Sequence, residues 1–388
     1  MDTVDPAHGI NEASAKKEPL ASKKRPRRLF ILATILFSTF LSLFLLEFAL
    51  RIFNPLGVKE RASWHFLLWA GLRKSANPEK VWETVPNYNQ QLVGYGVGLN
   101  SLGLRGEEIN PEKPTDTFRI LAVGDSMTFG MSADQNVSYP AQLHFLLRNR
   151  QFERFQSERR NEPLLGPSRP ENRVEVLNAG VPGYTTLQEE ALLHELLPRL
   201  RPDLVVVWWF HNDVILSGRL NPASQDEQLR IQIGIRPHTF SRKLLHAGYE
   251  IIPCSFALIR AATIGHRGAD GVDFKADPDS QPEGFAANLA SLKRMIDYCK
   301  SNSTAIIIYT YGTYDAIDRL CTEAGVTHVT TVSRPGREHE DEFAISKYDG
   351  HFDRAGNYAV AQSILPHAES LLKGTRPRGD DPSEKAEH

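Results

Sequence analysis

The sequence predicts an α/β domain, a parallel sheet covered by helices on both faces, preceded by one apolar helix long enough to span a bilayer. Three observations carry that expectation. From Phe118 onward, short apolar runs alternate with segments of helical periodicity, the pattern of a parallel sheet wound with helices. One run, Asp203–Phe210 (DLVVVWWF), is continuously apolar after its first residue, as a strand covered on both faces must be. Leu29 to Leu46 reads LFILATILFSTFLSLFLL, eighteen positions without charge, Pro or Gly, and about 27 Å long as a helix.

Taken in order, residues 1–28 are polar and Lys-rich and are expected to be a disordered cytoplasmic tail. Residues 29–53 form the predicted transmembrane signal anchor. Glu47 and Arg51, at i,i+4, are placed to pair at its far end, and Asn54-Pro55 stops the helix. Upstream, Lys16, Lys17, Lys23, Lys24, Arg25, Arg27 and Arg28 should stay in the cytoplasm, which puts everything after Phe53 outside. A cleaved signal peptide is the alternative, but the run is too long and Glu47-Phe48-Ala49-Leu50-Arg51 offers no small-x-small site. Residues 54–117 are a juxtamembrane and lead-in segment with turn signals and no clean period.

The domain proper is expected over residues 118–373. Strands are predicted at Phe118–Gly124, Val174–Asn178, Asp203–Phe210, Ala305–Tyr311 and His328–Val332. Helices are predicted at Tyr139–Arg150, Glu189–Leu200, Ala286–Lys300, Tyr314–Ala324 and Ala355–Leu372. Residues 214–285 break the alternation and read as an insertion over the site. The tail 374–388 again reads as disordered.

Composition excludes several classes. With 388 residues, 41% of them hydrophobic and 24% charged, the chain is globular and not fibrous or wholly disordered. Lys plus Arg number 45 against 47 Asp plus Glu, so no basic face argues for nucleic acid. Three cysteines, Cys254, Cys299 and Cys321, are too few for a disulfide framework, and buried free thiols are the expectation. No Cys/His spacing suggests a zinc site.

Ligands and catalysts in wound sheets gather at the carboxyl ends of strands. Those ends carry Gly124-Asp125-Ser126-Met127-Thr128, then Asn178-Ala179-Gly180-Val181-Pro182-Gly183, then His211-Asn212-Asp213. Asp349-Gly350-His351-Phe352 stands just before the last helix. Together they make a nucleophile and an oxyanion hole. Ser126 lies between a strand and a helix, whose N-terminus stabilises negative charge. Gly183 can bring a bare backbone N–H close to an oxyanion, and Asn212 adds a neutral amide donor. His351 can take and return the serine proton, with Asp349 fixing its tautomer. Asp125 is read as structural, holding the strand-to-helix turn.

These four blocks resemble the SGNH (GDSL-type) hydrolase family. The resemblance covers about residues 100–372 and includes Asn100-Ser101-Leu102-Gly103-Leu104-Arg105-Gly106, similar to the N-x-x-G-[FL]-R-G lead-in of membrane-anchored bacterial members. It implies a three-layer α/β/α, flavodoxin-like SGNH-hydrolase fold. It further implies Ser126 as nucleophile, an oxyanion hole from Ser126, Gly183 and Asn212, and a triad completed by Asp349 and His351. Two positions depart from the family pattern. Phe210 stands where a glycine usually precedes the oxyanion asparagine by two. The acid is two residues before His351, at Asp349, whereas the usual third position is Tyr348. A poorer Asp349–His351 geometry is therefore expected, relieved by the freedom of Gly350.

The resulting expectation is a membrane-anchored, extracytoplasmic serine ester hydrolase without metal or organic cofactor, periplasmic in a Gram-negative cell. Its partners would be the bilayer, through residues 29–53, and an ester substrate of envelope glycan or lipid; none would be a nucleic acid. Two alternatives stay open: an O-acyltransferase of an envelope polysaccharide, and a non-catalytic glycan-binding or scaffold module. Glu338-His339-Glu340-Asp341-Glu342 reads as a solvated loop and not a metal site. Trp208 and Trp209, on opposite faces of one strand, read as core.

Overall fold

The structure is a computed structural model that describes residues 25–159, 173–217, 251–264, 281–331, 343–346 and 349–374. The chain divides into two compact units, Met1–Leu46 and Glu47–His388. In the first, helix α1 (Arg25–Phe53, which continues into the second unit) exposes its apolar side chains from Leu29 to Leu46. It is long and apolar enough to cross a bilayer. Two of its hydroxyls are satisfied by its own backbone: Thr34 Oγ1 donates to the Phe30 carbonyl at 2.9 Å and Ser38 Oγ to that of Ile35 at 3.0 Å.

In the second unit the lead-in is ordered, which the sequence left unassigned. After a 3-10 turn (Pro55–Gly57) come α2 (Val58–Ala70), the antiparallel pair β1 (Leu72–Lys74) and β2 (Trp82–Thr84), and the pair β3 (Asn89–Gln91) and β4 (Gly96–Gly98). The wound domain follows with β5 (Thr117–Gly124), α3 (Ser126–Phe129), α4 (Tyr139–Arg159), β6 (Arg173–Gly180), α5 (Thr186–Leu200), β7 (Leu204–Trp209) and α6 (Asn212–Ser217). It continues through α7 (Pro253–Ile264), α8 (Pro282–Ser301), β8 (Ala305–Tyr311), α9 (Asp315–Ala324) and β9 (Thr327–Thr331). A short hairpin, β10 (Ala344–Ser346) and β11 (Asp349–Phe352), and α10 (Arg354–Gly374) close it. Among the described residues, α7 falls within 214–285 while α6 and α8 overlap its two edges; residues 218–250 and 265–280 of that insertion lie outside the described residues, as do the tails 1–24 and 375–388.

Five parallel strands form the sheet in the order β6-β5-β7-β8-β9. This is the flavodoxin-like 2-1-3-4-5 order, whose switch point lies between β5 and β7. Strand alternation sorts the core into two layers. Leu121, Val123, Val205, Val207, Trp209 and Ile308 face α5, α8 and α9. Ile120, Ala122, Val206, Trp208, Ile307 and Tyr309 face α4 and α10. Trp208 and Trp209 are both fully buried, one in each layer, as the period of two requires. The fold is three-layer α/β/α. The cysteines are free and buried.

Candidate active site

The nucleophile block sits at the switch point. β5 ends at Gly124, and Asp125 caps α3, its Oδ1 accepting from the Met127 N–H at 2.8 Å. The sequence predicts a helix here; the structure has a single turn, ended by Gly130 at φ +78°. That turn lies hard against the sheet. A Cβ on Gly180 would stand 2.2 Å from the Phe129 nitrogen, and one on Gly124 would stand 2.1 Å from Thr128 Oγ1. Ser126 is held at the first helical position, 8% exposed.

His351 Nε2 lies 2.8 Å from Ser126 Oγ, and His351 Nδ1 lies 2.6 Å from Asp349 Oδ1. A carboxylate only accepts, so Nδ1 carries the hydrogen and the Nε2 lone pair faces the serine hydroxyl. The Asp-Gly-His spacing closes at hydrogen-bond distance, with Gly350 outside the left-handed region. Residues 349–352 are strand β11, but its pairing with β10 is irregular there, and the reach is made by a local turn at Asp349. The His351 N–H adds a second bond to the same Asp349 oxygen, at 3.0 Å. Asp353 plays another part: it accepts from the Gly356 N–H at 2.9 Å, at the start of α10.

Electrostatics favour an ion-pair-ready couple. Burial pushes the Asp349 carboxyl up, but His351 and the Ser132 hydroxyl outweigh it and hold it below the ordinary range. Burial pushes His351 down, yet Asp349, and more distantly Asp125, lift it above the ordinary histidine value.

Gly183 and Asn212, the residues expected on the oxyanion side, stand on the loops after the two strands that flank β5. Gly183 follows β6 at φ +79°, a conformation that favours glycine. Its loop is pinned by the Trp82 indole, which donates to the Pro182 carbonyl at 3.1 Å. Asn212 opens α6 after β7, and its Nδ2 donates to Asp125 Oδ2 at 2.8 Å. Asp125 therefore does more than hold its own turn: it orients the amide, leaving the second Nδ2 hydrogen for the site. Glu189 and Asp213 are also fully buried, and burial pushes both carboxyls well above their ordinary range, with repulsion from Asp213 and Asp125 adding at Glu189 and from Asp125 at Asp213. Phe210 turns toward the sheet, its ring 4.3 Å from that of His211 and edge-on to Trp208.

Sequence reasoning missed three contributors. Arg105, in the lead-in block, is buried and donates to the carbonyls of Phe129 (2.6 Å), Gly130 (2.5 Å), Ala133 (2.5 Å) and Gly96 (3.2 Å). It thereby fixes the loop behind the nucleophile, and the Arg-Gly of the lead-in motif was the available signal. Trp64 lies edge-on to the His351 ring and bonds Ser132; neither residue has a local signal. Glu338–Glu342 lies outside the described residues, and among those described no cluster of metal-ligating side chains occurs. A large cavity of about 890 Å³, lined in part by Asn89, His144, Arg148 and Arg173, does not include Ser126, Gly183, Asn212 or His351.

No family model matches the sequence, and no curated protein does. Among solved structures, a protein described as lipolytic and of the G-D-S-L family, from Desulfitobacterium hafniense, is 13% identical, with 64% of this chain and 98% of that chain covered and a TM-score of 0.34. A catalytic mutant of an acetylxylan esterase from Geobacillus stearothermophilus is 15% identical over 65% and 94%, with a TM-score of 0.36. A two-domain esterase active on acetylated mannans is 14% identical over 67% of this chain and 51% of its own, with a TM-score of 0.36. In the chain itself the sheet order is flavodoxin-like, and Ser126, His351 and Asp349 form one hydrogen-bonded series, an arrangement that resembles a serine-hydrolase triad.

Proposed function

We propose that this chain is a membrane-anchored serine ester hydrolase whose catalytic domain lies outside the cytoplasm. The observation that carries the chemistry is the continuous chain from Asp349 through His351 to Ser126, at 2.6 and 2.8 Å. Ser126 Oγ attacks the ester carbonyl while its proton passes to His351 Nε2. The tetrahedral oxyanion accepts from the Ser126 and Gly183 N–H groups and the Asn212 amide. As it collapses, His351 returns the proton to the leaving alcohol, and Asp349 stabilises the imidazolium in the interval. His351 then takes a proton from water, which attacks the acyl-enzyme and releases the acid. Every step is acid–base and nucleophilic chemistry that these side chains supply. The exposed apolar run of α1, with basic residues before it, supports the anchor and its orientation.

The test is hydrolysis of p-nitrophenyl acetate by the detergent-solubilised full chain. Turnover by the parent and none by Ser126→Ala is expected; equal turnover in both removes Ser126 from the reaction.

A further inference from the structure

The reading of Ser126, His351 and Asp349 as a triad leaves one contact on the histidine unexplained. Trp64 sits midway along α2, in the lead-in segment and outside the wound domain. Its ring meets that of His351 at 5.6 Å between centroids and 79° between planes. Its Nε1–H donates to Ser132 Oγ at 2.7 Å. An indole N–H can only donate, so the Ser132 oxygen accepts and keeps its own hydrogen for another acceptor. Asp349 Oδ1 is occupied by both His351 hydrogens, Asp349 Oδ2 is buried, and the Ser132 hydroxyl is among the groups that hold this carboxyl below its ordinary range, as it also acts on the neighbouring Tyr95 phenol. Ser132 is held for this role at φ +62°, a conformation rarely used by side chains other than glycine. A second tie runs from α2 to the same hairpin: Glu60 Oε1 accepts from Ser346 Oγ at 3.0 Å, and Ser346 is paired with Asp349 in the β10–β11 ladder.

We propose that Trp64 is a positioning residue of the catalytic centre, holding the His351 ring by edge contact and, through Ser132, the Asp349 carboxylate. This rests on the triad reading above. The lead-in segment is then part of the enzyme's working machinery. The Ser132 bond satisfies an indole N–H that packing would otherwise orphan, and it fixes the tryptophan ring against the one ring whose orientation sets proton transfer.

The experiment is a double-mutant cycle on the full chain in detergent, read as kcat and KM for p-nitrophenyl acetate and as melting temperature. Trp64→Ala should lower kcat about 10- to 100-fold, the scale of a small misplacement of a reacting group, with KM within about threefold. Trp64→Phe keeps a ring against His351 and loses only the N–H, so it should recover part of that loss. Ser132→Ala removes the same link from the other side. The double variant Trp64→Phe/Ser132→Ala should therefore be no worse than the poorer single variant, a non-additive result that general destabilisation does not produce. Should Trp64→Ala fail to fold, the Phe and Ser132 variants decide alone. Additive losses, losses confined to KM, or kcat within about twofold of the parent in both Trp64→Phe and Ser132→Ala would overturn the proposal. Ser126→Ala is the control: if it turns over the ester like the parent, the triad reading fails as well.

Discussion

Asn212→Ala separates the oxyanion hole from the rest of the site. The Asn212 side chain has two amide hydrogens, and one is committed to Asp125 Oδ2 at 2.8 Å. The other is free to meet an oxyanion. Losing one such donor costs about 10²–10³ in kcat, or roughly 2.7–4 kcal/mol of transition-state stabilisation. Because the ground-state carbonyl gains little from that donor, KM should stay within about threefold. The substitution also strips a partner from a buried carboxyl. Burial already pushes Asp125 upward, with the Asn212 bond the largest influence opposing it. About 1–3 kcal/mol of stability should therefore go too, a fall of several degrees in melting temperature. Initial rates of p-nitrophenyl acetate hydrolysis, measured below the variant's melting onset, resolve the two effects. An unchanged kcat would remove Asn212 from the site, and a loss carried wholly by KM would make it a substrate-binding residue instead.

Three further outcomes follow from the same geometry. Asp349→Asn should cost about 10⁴ in kcat, the scale seen when a triad acid becomes an amide. Since Asp349 lifts the His351 pKa against burial, the ascending limb of the parent's pH–rate profile should lie above about 6.5, and that of the variant's residual activity should move to lower pH. Glu189 is fully buried, and neither carboxylate oxygen has a hydrogen-bond partner among the described residues. Its folded-state pKa is raised, so its contribution is intact at low pH and is lost as pH rises through that value. Glu189→Gln should thus match the parent near pH 4 and exceed it by about 1–3 kcal/mol near pH 8 by thermal or denaturant unfolding; a gap that does not grow with pH would contradict this. A reporter active only in the cytoplasm, fused after His388, should be silent if the basic cluster before Leu29 orients α1 as proposed.

The sheet was legible in the sequence because each strand is a short apolar run between turn signals, and Ala305–Tyr311 is found over those same residues. The candidate residues Ser126, Gly183 and Asn212 stood out for a related reason: they follow the ends of β5, β6 and β7, and strand ends are where apolar runs stop. Asp349 was expected to reach His351 awkwardly from a spacing of two; the reach is made by a local turn in which the His351 N–H and Nδ1–H both bond Asp349 Oδ1, which no spacing rule announces. The lead-in was opaque because its partners are remote in sequence. Trp64 finds Ser132 and His351, Trp82 finds Pro182, and Arg105 finds the Phe129–Ala133 loop, so no local period or spacing announces them. The second role of Asp125 was hidden in the same way, since Asn212 lies 87 residues away.

The most direct test of the account is covalent. A fluorophosphonate mimics the tetrahedral intermediate and reacts with a serine only when a base and an oxyanion hole are in place. Peptide mass spectrometry of the treated full chain should find one phosphonyl group, on the peptide carrying Ser126, absent from Ser126→Ala and much reduced in His351→Ala. Label on another residue, or undiminished labelling in His351→Ala, would contradict it.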